Sequence, residues 1–198
     1  MDGRFIRQRS VKKRAIHQEI AAMIAAIVVM FGYAESIPVT VNAVFRWFHV
    51  FFGILWIGLL YYLNFVQVPT MPAIPAEQTG AINSHIAPNV LFYFRWAALL
   101  TVVTGLVVAY VSGYVHQALA FQGQGAVNLI GLGMWLALIM AFNVWFIIWP
   151  AQKKILNIVP GATDEEKAKL RPRALIASRL NTLLSLPMLY CMVSANLG

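Results

Sequence analysis

The chain has 198 residues, 60% of them hydrophobic and 11% charged, with a net charge of +8 and a mean hydropathy of +0.71. Soluble domains carry about 25% charged residues, so this composition excludes an ordinary water-soluble enzyme and a disordered tail. Cys191 is the single cysteine, which also removes an internal disulfide scaffold and the paired thiols that attach a c-type haem.

Arg4, Arg7, Arg9, Lys12, Lys13 and Arg14 open the chain as a basic tail over 1–19. A first apolar stretch over 20–34 is read as a transmembrane helix stopped by Pro38, whose missing amide hydrogen a helix interior needs. The same tail, run and Gly32-Tyr33-Ala34 can also be read as a signal peptide with a small-x-small cleavage site. Four longer runs follow at 43–66, 90–112, 127–149 and 176–197. Each reaches the roughly 20 apolar residues that cross about 30 Å of hydrocarbon. The expectation is an all-α, polytopic membrane helix bundle of five transmembrane helices, a single domain over 20–198.

The connections carry their own signals. Pro69, Pro72, Pro75 and Pro88 punctuate 67–89, which predicts an extended surface segment. Pro160-Gly161 before Thr163-Asp164-Glu165-Glu166 predicts a turn and then a short helix over 164–170. Thr163 would cap it and Glu166 close a capping box, within a cytoplasmic loop at 151–175. Lys153, Lys154, Lys167, Lys169, Arg171, Arg173 and Arg179 cluster there or just inside the last span, whereas 35–42 and 113–126 hold no Lys or Arg. Cationic loops stay on the cytoplasmic side, so the amino terminus is expected inside and the carboxy terminus outside, in a bacterial inner membrane. No aromatic-basic interleaving of the kind that stacks bases is present, so nucleic acid is not an expected partner.

Polar side chains recur on one face of each longer run. In the second span Arg46, His49, Gly53, Trp56, Leu60, Asn64 and Gln67 form a stripe roughly 80° wide at about 100° per residue. In the fifth, Ser178, Asn181, Ser185, Met188, Met192 and Asn196 do the same. The third offers Arg95, Thr101, Thr104, Gly105 and Ser112, and the fourth Asn128, Gly131, Trp135 and Asn143. Small and hydrogen-bonding residues are what helices in lipid use to pack. Gly53, Trp56, Asn64, Asn143, Asn181 and Ser185 are therefore expected on a helix-packing or partner face. Trp47, Trp96, Trp149, Tyr33 and Tyr114 lie near span ends and read as interfacial anchors.

His49 sits about 9 Å below the outer edge, at about 1.5 Å per residue, with Met192 and Trp135 at similar depth and His116 at the rim. A haem b could be held by His49 with Met192 or His116, and Arg46 could pair with a propionate. The competing reading is a neutral histidine bonded to a neighbouring helix, with Arg46 snorkelling to the headgroups. No catalytic residue stands out. No acidic or His-x-x-His cluster suggests a metal centre, and Gly123-Gln124-Gly125 is a lone loop doublet rather than a phosphate loop. A transporter would want an interior charge and paired broken helices.

The stretch Arg46-Trp47-Phe48-His49, through Gly53-Ile54-Leu55-Trp56-Ile57-Gly58 to Tyr62-Leu63-Asn64-Phe65, resembles the opening of the bacterial membrane-bound urate hydroxylases. Three later blocks are similar in order: Phe94-Arg95-Trp96-Ala97 with Thr101 and Gly105, Ile139-Met140-Ala141-Phe142-Asn143-Val144 through Pro150-Ala151-Gln152-Lys153-Lys154, and Leu184-Ser185-Leu186-Pro187-Met188-Leu189-Tyr190 with Met192 and Ser194. The resemblance spans about 43–198. It implies a urate-oxidising membrane domain that passes electrons to a cytochrome c domain, which this chain is expected to lack as a short stand-alone member. Departures from the family pattern are Leu180 at a family histidine, Ala97 at its glutamate, Ala195 in its Ser-Asn-His ending, and a His85 without the family's neighbouring glycines.

Two expectations follow. The chain is an accessory, structural subunit of a larger redox membrane complex, in contact with lipids and other membrane-protein subunits. Alternatively it is a stand-alone oxidoreductase domain of urate-hydroxylase type that binds haem b and passes electrons to a separate cytochrome c.

Overall fold

The computed structural model describes residues 37–195 together with Gln18, Ala21, Ala22, Ile24, Ala25 and Val29. The basic tail, most of the expected first span at 20–34, and Asn196 lie outside the described residues. The chain divides into two units, Met1–Phe45 and Arg46–Gly198. In the first, the backbone is helical from Ile37 onward, with Pro38 in the opening turn of α1 (Ile37–Tyr61). There its missing amide donor has no intrahelical partner to lose.

The second unit is helical throughout its main elements. They are the rest of α1, α2 (Ala76–Ala81), α3 (Ala87–Val111), α4 (Val115–Leu119), α5 (Ala126–Phe142), α6 (Trp149–Ile155) and α7 (Asp164–Ser194). Wider π turns at Tyr62–Gln67, Ile82–Ile86 and Asn143–Ile148 join these into longer rods. Among the described residues four helices are long and apolar enough to cross a membrane: Thr40–Ala73, Glu77–Val111, Ala126–Ile155 and Asp164–Ser194. Each is 30 residues or longer, beyond the roughly 20 that hydrocarbon requires.

The proline-rich connection corrects the sequence-based expectation. Rather than an extended segment, 67–89 is helical on both sides of one break at Ile74-Pro75, where ψ opens to 129° and 142°. Pro69, Pro72 and Pro88 each stand at the second position after a change of helix type inside a rod that continues, so the turn before each must accommodate the missing amide donor. A pattern accompanies this. The three π turns end at Gln67, Ile86 and Ile148, two residues before Pro69, Pro88 and Pro150. A proline clashes with the carbonyl one turn back, and a widened upstream turn relieves that clash while the helix continues.

The helix expected over 164–170 is likewise only the opening of the 31-residue α7. The Glu166 amide donates to Thr163 Oγ1 at 3.1 Å, so Thr163 is the cap. The Glu166 carboxylate turns away to Lys154 at 2.5 Å rather than reaching back to close the box. Between α6 and α7 the irregular part shrinks to 156–163.

α7 is the central partner in this unit, packing along α5, its π turn and α6. Trp56, Leu60, Phe94, Met140 and Val144 fill the main core with side chains almost wholly buried. α4 lies on α5 at backbone distance, since a Cβ added to Gly131 would strike the Ala118 carbonyl.

Candidate functional site

The polar stripe of α1 meets α3 and α7 through single side chains. His49 Nδ1 lies 2.8 Å from the Thr101 carbonyl oxygen. A carbonyl can only accept, so Nδ1 carries the proton and Nε2 is left as the acceptor. The imidazole rests on Gly105, where an added Cβ would fall 2.6 Å from Cε1 and 2.9 Å from Nδ1. Glycine is thus required at 105 by the ring lying on it. At Gly53, one turn along, an added Cβ would lie 3.9 Å from the Thr101 methyl. Arg46, exposed and one turn before His49, lies close enough to act on the Tyr114 phenol. Burial raises the Tyr114 pKa and the Arg46 charge draws it back.

Further along α1, Asn64 Nδ2 donates to Ser178 Oγ at 2.8 Å and to the Leu60 carbonyl at 2.9 Å. Ser185 donates to the Thr182 carbonyl at 2.7 Å. Its hydroxyl has one proton, so the 2.9 Å contact with Tyr61 is donated by the phenol. Between α5 and α7, Asn143 Nδ2 donates to Asn181 Oδ1 at 2.9 Å, and Asn181 Nδ2 donates to the Met140 carbonyl at 3.0 Å. Both amides are buried. Thr101 and Thr104 return their hydroxyls to carbonyls of their own helix, a local bond that satisfies the oxygen without a partner helix. One polar atom here stands apart: Trp56 is fully buried, yet its indole N–H has no hydrogen-bond partner.

The residues put forward for a haem have these surroundings, Met192 also packing on the cluster that holds Ala109 of α3. His49 is on the α1–α3 side, whereas Met192 packs against Gly133 of α5, its Cε 3.2 Å from where a Cβ would be. His116 is exposed on α4. Trp135 is largely exposed too, its indole donating to the Leu119 carbonyl at 3.0 Å. Among the described residues no group of three or more His, Cys, Asp or Glu converges as metal ligands would.

A second constellation had no local signal in the sequence. The Arg95 guanidinium stacks over the Trp149 ring at 3.7 Å and lies 5.5 Å from the Phe92 ring. Trp145 donates its indole N–H to the Arg95 carbonyl at 3.0 Å and meets Trp96 edge-on at 5.5 Å. The residues come from α3 and from the α5–α6 rod, about 50 positions apart, so no spacing rule pairs them. In the sequence Arg95 reads as a polar residue of the third span and Trp149 as an anchor, and nothing there pairs them.

Comparison with known proteins places part of the chain in a family. A family model described as urate oxidase N-terminal covers residues 92–198, from the Phe92 turn of α3 through α7. That segment includes Arg95, Asn143, Trp149 and Asn181, while Arg46 and His49 precede it. No curated protein and no solved structure matches the chain.

Proposed function

This chain belongs to the urate oxidase N-terminal family, and on that premise we propose that it is a membrane subunit of urate-hydroxylase type that scaffolds a larger redox complex. The supporting observation is where the polar groups go. The buried amides and hydroxyls of α1, α5 and α7 bond to one another and to carbonyls, holding the bundle together. The outer face of α7 presents Ile176, Leu183, Leu186, Tyr190 and Val193, each more than half exposed, within an arc of about 100°. Such a stripe suits lipid and the helices of neighbouring subunits. In this reading the bundle lies in a bacterial inner membrane with Lys153, Lys154 and the start of α7 at the cytoplasmic side, as cationic loops prefer. The test is purification in mild detergent from native membranes. Stoichiometric co-migration with redox subunits is expected, and isolation as a lone chain contradicts the proposal.

A second reading rests on His49. Its Nδ1–H bond to a carbonyl fixes the ring and leaves Nε2 as the ligand atom, the arrangement that orients metal-bound histidines. A haem b would supply one-electron transfer, held by His49 with Arg46 one turn away as a cation for a propionate, and a separate cytochrome c would take the electrons. A b-type Soret band lost in His49→Ala, together with urate-dependent reduction of added cytochrome c, supports this reading. Neither signal in the purified chain removes it.

A further inference from the structure

Arg95 is charged at every accessible pH and lies in an apolar helix. Its Nε is buried without a hydrogen-bond partner. Among the described residues the carboxylates of Asp164, Glu165 and Glu166 pair with Lys167, Lys169 and Lys154, and none pairs with Arg95 or Lys153. Stacking on Trp149 offsets part of the cost of holding the cation there. It covers one face of the guanidinium and leaves the donor edge, whose planar fork matches the oxygens of a phosphate.

The surroundings specify what kind of phosphate. Lys153 follows Trp149 by four residues in α6 and so lies on the same helix face, one turn nearer the basic end. Trp96, Trp145 and Trp149 gather at this level, as aromatic residues do where headgroups meet hydrocarbon. Flanking Arg95, α3 exposes Phe92 one turn before it and Trp96 and Val103 after it, all within an arc of about 40°, an apolar track beside the cation. A free anion has no use for that track, whereas an acyl chain does.

We propose that Arg95, stacked on Trp149 and supported by Lys153, is a binding site for the phosphate of an anionic phospholipid whose chains lie along Phe92, Trp96 and Val103. Basic pockets between membrane helices hold lipid headgroups in this way. The site stands apart from the subunit and haem readings and does not depend on either.

The experiment is lipid binding to the full-length protein in detergent, followed by native mass spectrometry. The probes are phosphatidylglycerol and phosphatidylcholine with identical acyl chains, and inorganic phosphate. The wild type is expected to prefer phosphatidylglycerol roughly tenfold, the size of one good charged contact. Arg95→Gln should bring that preference close to unity, Arg95→Lys should retain part of it, and Lys153→Gln should lower it about threefold. Lys153 is partly exposed and its replacement leaves the core untouched, so it reads the site even if Arg95→Gln fails to fold. Equal binding of the two lipids, a preference that survives Arg95→Gln and Lys153→Gln, or occupancy by inorganic phosphate in place of lipid would each overturn the assignment.

Discussion

His49 and Arg95 are two basic groups whose contacts involve α3, and they are treated in opposite ways. The imidazole donates to Thr101 and lies flat on Gly105. The guanidinium, about 9 Å along α3 from Thr101 at about 1.5 Å per residue, has an aromatic face and a buried Nε without a hydrogen-bond partner. A group engaged by its own bundle holds helices together, while a group left with open donors is where the bundle can meet something else. Structure and interaction are thereby assigned to different levels of the same helix.

That contrast can be broken most severely at Gly105. Replacing it with leucine drives a side chain into the space of the His49 ring and should cost about 3 kcal/mol, the upper range for overpacking. Thermal unfolding in detergent should show a large loss, and a near-neutral result would mean that His49 does not sit there. Asn181→Ala comes next, at about 2 kcal/mol, because it leaves the Asn143 amide with a buried unpaired donor. A double-mutant cycle with Asn143→Ala should recover about 1 kcal/mol of coupling, within the range for helix contacts in membranes.

His49→Phe keeps the ring on Gly105 but loses the bond to Thr101, for about 1 kcal/mol. Arg95→Gln should be smallest, within about 0.5 kcal/mol in lipid-free detergent, since it removes only a part-exposed cation–π contact. If Arg95→Gln proved more destabilising than His49→Phe, the contrast between the two would be inverted.

The sequence reveals these features unevenly, for physical reasons. The four longer apolar runs coincide with the four long helices, because length and hydropathy are local properties. Thr163 is legible as a cap for the same reason. The proline-rich stretch misleads because proline marks turns in water-exposed chain, whereas Pro69, Pro72 and Pro88 stand at changes of helix type inside a rod that continues. Each π turn has a proline two residues downstream, but Pro172 and Pro187 stand inside α7 without one, so proline alone does not mark a π turn. The Arg95–Trp149 stack had no signal, since guanidinium and indole are brought together only by the antiparallel packing of α3 against the α5–α6 rod. The bond from Asn143 to Asn181 is of the same kind. Each residue reads as polar and inward on its own helix, but their pairing depends on the axial register of α5 against α7.

The account as a whole holds that the bundle's buried polar groups bind the bundle, and that its working surfaces are on the outside. A photo-crosslinking side chain at Leu183, on the exposed stripe of α7, tests this in native membranes. The account predicts a discrete protein adduct, identified by mass spectrometry as a neighbouring redox subunit. Adducts to lipid alone at Leu183 would contradict it.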